Sequence, residues 1–194
     1  MQGPDLQAPQ TAATCDDARG RDDVREEIRK RRSNINPGSL LATDYLNHFN
    51  EIVMLFDLAA DRPDCFRDAA AWQPVSYPDH FSRSNFSDRG LAIDAYDYCP
   101  QDIRTAFDTT VAELDALLLD GIERCLEIME RGASEEFRHT CRTIAADSRA
   151  LIDRLSAIIH GVHAFVPLRD RLTSETLEEA QETIDSLFEP SAKP

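Results

Sequence analysis

Residues 101–167, QDIRTAFDTTVAELDALLLDGIERCLEIMERGASEEFRHTCRTIAADSRALIDRLSAIIHGVHAFVP, decide the fold. After Pro100 the apolar side chains Ile103, Phe107, Val111, Leu114, Leu118, Ile122, Cys125 and Met129 recur in steps of three or four. That period puts them on one face of an α-helix. Gly132 ends the run, as glycine does where a chain leaves a helix in the left-handed conformation. Ser134 reads as the cap of the next helix, with Glu135 and Glu136 in its first turn, where carboxylates suit the helix dipole. The seam of that helix is Phe137, Cys141, Ile144, Ser148, Leu151, Leu155, Ile158, Val162 and Phe165, and it stops before Pro167. Each helix would span about 32 residues, or roughly 48 Å. A link this short forces the two into an antiparallel hairpin.

Working upstream, Asn36-Pro37 predicts the start of another long helix, with Asn as cap and Pro in the first turn. Its seam is Leu41, Tyr45, His48, Ile52, Leu55 and Ala59, widened by Phe49, Val53 and Phe56, and Asp61-Arg62-Pro63 ends it. Downstream, a helix over 173–188 adds Leu177, Ala180, Ile184 and Leu187. The expected fold is all-α: an antiparallel helical bundle with three long amphipathic helices, shorter helices and an aromatic-rich irregular connection. That connection, residues 61–99, holds Phe66, Trp72, Tyr77, Phe81, Phe86, Tyr96 and Tyr98, half of the chain's aromatics. Pro63, Pro74 and Pro78 interrupt it, and Ser87-Asp88 predicts the cap of a short helix through Tyr96. Two readings of it stay open, a hydrophobic lid across the bundle or a contact surface.

The expected organisation has a disordered tail over 1–20, which lacks bulky apolar residues, then a short polar helix and linker over 21–36. A single bundle domain follows over 37–189, and a tail over 190–194. Within 22–33, DDVREEIRKRRS, acids precede bases as the helix dipole prefers. The run Arg29, Lys30, Arg31 and Arg32 is bordered by Asp22, Asp23, Glu26 and Glu27, so it reads as a solvated helix end.

Charge narrows the partners. The 194-residue chain carries a formal charge of −15, and residues 37–194 hold 29 acidic against 14 basic side chains. Such a surface repels phosphate backbones, which excludes direct nucleic-acid binding and favours basic protein partners. No stretch approaches the roughly 18 apolar residues of a membrane span. The start MQGPDLQAPQ lacks the pattern of a secretory signal. The five cysteines, Cys15, Cys65, Cys99, Cys125 and Cys141, form no C-x-x-C pair and read as reduced thiols. These features together predict a cytoplasmic protein.

Chemistry is sparse. Phosphate-loop, dinucleotide and nucleophile-elbow motifs are missing, so no enzymatic activity is expected. Histidine beside carboxylate is the one recurring pattern. Asp44, His48 and Glu51 share a helical face, Glu136 and His139 form an E-x-x-H, and His160 and His163 lie three apart. Yet chance placement of 36 acids in 194 positions predicts about as many such neighbours as occur. His139 and His160 fall opposite the apolar seam, toward solvent. Their separation along one helix, about 30 Å, keeps them from sharing a site. His48 alone sits within a seam.

The expected function is therefore non-enzymatic, an adaptor or regulator acting through protein–protein contact, with no cofactor. Residues 61–99 are the expected contact surface, anchored by Trp72, Tyr77, Phe81 and Phe86, because aromatic anchors dominate such interfaces. The alternative is a bundle binding a small molecule or transition metal, centred on His48 with Asp44 and Glu51, with His80 reaching in from the connection. The regular seams of the two hairpin helices lean toward a homodimer.

Overall fold

A computed structural model describes residues 15–161, and these form helices and turns with no strand among them. Helix α1 runs Cys15–Arg31, α2 Asn47–Asp61, α3 Phe66–Ala69, α4 Tyr77–Arg83, α5 Arg89–Asp97, α6 Gln101–Glu130 and α7 Ser134–Ile159. The predicted helix over 173–188, the seam positions Val162 and Phe165, and His163 lie outside the described residues. No helix among them is long and apolar enough to cross a membrane.

Helix α6 starts where Pro100 predicts, and Gly132, at φ 71°, closes the hairpin. The Ala133 amide donates to the Ile128 carbonyl and the Gly132 amide to that of Met129, which satisfies two of the carbonyls a helix end leaves free. Ala133, not Ser134, occupies the cap position of α7, and no side chain bonds there. Glu113 meets Arg154, Gly121 meets Ile144 and Cys125 meets Cys141, so contacts are made in opposite order along α6 and α7. Helix α2 meets α7 in the same reversed sense, through Asp57 with Arg149 and Asp61 with Arg142. A Cβ on Gly121 would lie 2.8 Å from Ile144 Cδ1, so glycine there permits the close approach of α6 and α7. Cys125 and Cys141, each eight residues from Ala133, bring their Sγ atoms to 3.7 Å in the same contact.

Three boundaries differ from expectation. The helix expected from Asn36 begins later. Asn36 Oδ1 accepts from the Gly38 and Ser39 amides, so this residue closes a turn instead of capping a helix. Leu40 takes φ 64° with its side chain fully buried, an isolated bridge joins Ile35 to Ala42, and helical geometry starts only in the 3₁₀ turn Thr43–Leu46. Buried Ser39 donates its hydroxyl to the Ile159 carbonyl, which satisfies one of the orphan carbonyls at the end of α7. Helix α7 itself stops at Ile159, short of Phe165, because Gly161 adopts φ 77°. At the other end, α1 begins at Cys15, within the stretch expected to be a tail. Gly20 lets it lie against the Tyr98 ring, Arg21 Nε donates to the Tyr98 carbonyl, and Ile28 enters the core.

The connection over 61–99 is mostly helical, and its aromatics fill the core. Ser76 caps α4 by accepting from the Asp79 amide. Phe66 packs edge-on between Phe56 of α2 and Phe137 of α7, with centroids 5.3 and 5.4 Å away. Burying rings of this size contributes about 2–3 kcal/mol each, so the segment is part of the core.

Candidate functional site

Helix α2 turns Phe49, Ile52, Val53, Phe56, Ala59 and Ala60 inward. With the inward arc centred there, His48 and Leu55 fall at its edge and Met54 and Leu58 outside it. Met54 is 68% exposed and Leu58 39%. With Leu55, Glu51 and Asp57 they line an open depression of about 670 Å³. Asp57 and Asp61 are held by Arg149 and Arg142 of α7. Glu51 has no ion-pair partner among the described residues.

His48 stands at the N-terminal end of this face. The connection folds back so that Trp72 stacks on it, centroids 5.0 Å apart and planes 23° from parallel. His80 of α4 approaches to 6.2 Å and meets Tyr45 edge-on. Burial holds both imidazoles below the ordinary histidine range. For His48 the neighbouring His80 adds to the shift, while Glu51 opposes it; Asp44 and Glu51 oppose it for His80. His48 Nε2 and Trp72 Nε1 are both buried without a hydrogen-bond partner among the described residues.

The metal reading of this corner meets a geometric obstacle. Asp44 Oδ2 accepts from the Asn34 side-chain amide at 2.6 Å. Among the described residues no three His, Cys, Asp or Glu side chains converge as a metal ion requires. Outside the corner, His139 is exposed and Glu136 and Glu135 pair with Arg131 and Arg138, so the E-x-x-H stretch forms surface ion pairs.

The four aromatic anchors separate. Tyr77 is 3% exposed and Phe81 fully buried, so in this conformation neither can meet a partner. Tyr77 donates no contact outward; its hydroxyl accepts from the Ala42 amide. Trp72 and Phe86 are partly buried against the core, the latter beside Phe81 at 5.3 Å. Sequence reasoning missed Met54 and Leu58, whose signal is two large apolar residues off the seam of a helix that already had a full inward face. It also missed Asp115, whose carboxylate borders a separate cavity and has Oδ1 buried without a partner.

No protein family matches the chain, and no curated protein or solved structure is detectably similar to it.

Proposed function

We propose that the protein docks a basic, amphipathic segment of another protein on the outer face of α2, with an antiparallel helical bundle as rigid support and no catalysis of its own. The observation that carries this reading is the exposed pair Met54 and Leu58, continued by partly buried Leu55, along an open depression. Methionine adapts its shape to a partner's side chains, and contiguous apolar surface on a soluble chain marks contact sites. Glu51, with no ion-pair partner among the described residues, and the charge of −15 favour a partner with lysine or arginine around an apolar face. Trp72, stacked at the His48 end, extends the contact and keeps the connection in the role first expected of it. The buried thiols of Cys99, Cys125 and Cys141 suit a reducing cytoplasm.

The test uses a lysine–leucine helical peptide without tryptophan and a scrambled peptide of the same composition. Trp72 is the chain's single tryptophan and reports binding by fluorescence. The amphipathic peptide should shift its emission saturably, and Met54→Asp with Leu58→Asp should weaken binding by about tenfold or more. Equal binding of the scrambled peptide, or full binding by the double variant, overturns the proposal. So does self-association that Leu58→Asp abolishes in a chain that ignores the peptide, since the stripe would then serve a second copy.

A further inference from the structure

A second feature stands apart from the α2 stripe and shares none of its residues. Between the Pro74–Tyr77 segment, α5 and α6 lies a cavity of about 290 Å³, whose lining includes Tyr45, Val75, Tyr77, Tyr96, Asp108 and Asp115. Asp108 and Asp115 are seven residues apart on α6, hence on one face and two turns from each other.

The polar lining is rich in acceptors and has no cation among the described residues. Tyr45 donates its hydroxyl to the Val75 carbonyl at 2.8 Å, and Tyr96 donates to Asp108 Oδ1 at 2.7 Å, so both hydroxyl protons are taken. Among the described residues no lysine, arginine or histidine lines the cavity. Arg104 lies 3.8 Å from Asp108 Oδ2 and 4.2 Å above the Tyr96 ring, and it serves Asp108. Asp115 has no ion-pair partner among the described residues. Its Oδ1 is shut off from solvent with no hydrogen bond, and burial alone pushes its carboxyl up to about 6. An ionised carboxylate against aromatic walls is costly unless a cation meets it.

We propose that this cavity binds a small organic amine in its ammonium form, with Asp115 as counter-ion, the Val75 carbonyl and Asp108 as further acceptors, and the tyrosine and Phe107 rings as the apolar wall. The volume lies at the lower limit of small-molecule sites, which selects a ligand of few atoms. Rings in this neighbourhood already accept a cation, as Arg104 over Tyr96 demonstrates. Tyr45, Tyr77 and Tyr96 face the cavity with hydroxyls that burial keeps neutral, so binding should follow the carboxylate of Asp115 and weaken as pH falls through about 6.

The experiment titrates the full chain with phenethylamine and with phenethyl alcohol, its uncharged counterpart, by calorimetry at physiological salt. The amine should bind saturably and the alcohol should not. Asp115→Asn should weaken amine binding by about tenfold or more while leaving the melting temperature undiminished, which separates lost binding from lost fold. Asp120→Asn, an exposed carboxylate on the same helix, should bind as the parent does and so control for diffuse attraction. Equal binding of amine and alcohol, unchanged binding by Asp115→Asn, or no binding of either phenethylamine or butylamine overturns the proposal.

Discussion

At the scale of single residues, Asp115 and the pair His48 and His80 make opposite contributions to stability against pH. The folded chain holds a proton on Asp115 up to about pH 6, above the ordinary 3.8, so the ionised form costs stability at neutral pH and that cost fades as pH falls. Asp115→Asn should therefore melt higher than the parent at pH 7.5, by a few degrees, with the gap closing toward pH 4. A gap independent of pH would contradict this account of Asp115. The two histidines run the other way. Burial lowers both, so their contribution is present above the ordinary value of 6.5 and lost as pH falls through their folded values. His80→Gln should accordingly blunt the loss of thermal stability between pH 7 and 5. An equal loss in both proteins would sink that assignment. His48 was legible as a residue within an apolar seam with carboxylates on its flank, and the structure moves it to the edge of the inward face. That Trp72 would stack on it was not, because stacking depends on how the chain folds back over the 24 residues that separate the two.

At the scale of elements, two glycines of the hairpin separate backbone strain from packing. Gly132 adopts a left-handed conformation with nothing within 4 Å of an added Cβ, so Gly132→Ala should cost about 1 kcal/mol, from backbone strain alone. Gly121 is helical, and an added methyl would press on Ile144 at 2.8 Å. Gly121→Ala should cost about 1–3 kcal/mol through overpacking, even though alanine favours the helix. Denaturant unfolding checks both, and a stabilised Gly121→Ala would deny the close α6–α7 contact. The two hairpin helices were legible because long periodic seams outweigh local ambiguity. The seams drift by one residue in detail, with Ile128 and Ile152 more buried than the expected Met129 and Leu151. A strict alternation of threes and fours only approximates 3.6 residues per turn. Boundaries failed where one signal had two uses. Asn36 can cap a helix or close a turn, and a tertiary contact, Ser39 to Ile159, accompanies the second use. Gly161 could have been read as an end signal like Gly132, but the apolar residues beyond it continued the pattern. Ser87-Asp88 showed α5 within the connection, and Ser76-Tyr77-Pro78-Asp79 is the capping signal that would have shown α4 as well.

At the scale of the whole molecule, the acid excess governs both stability and partner choice. The ion pairs between helices, such as Arg154 with Glu113, have side chains nearly half-exposed and contribute little individually. Net self-repulsion at −15 is the larger effect. Added sodium chloride should thus raise the melting temperature from its low-salt value, and a fall would show that attractive pairs dominate. Under the proposed function the same charge would give a basic partner its long-range attraction, and the α2 stripe would give the contact its place. The central claim is that place. The most direct measurement labels the methionine methyl groups and follows them by NMR as the amphipathic basic peptide is added. The chain has three methionines, of which Met54 lies on the stripe and Met129 packs against the core at the end of α6. The account predicts that the Met54 resonance moves saturably while Met129 stays in place. A Met54 resonance that does not respond, with or without movement elsewhere, would contradict it.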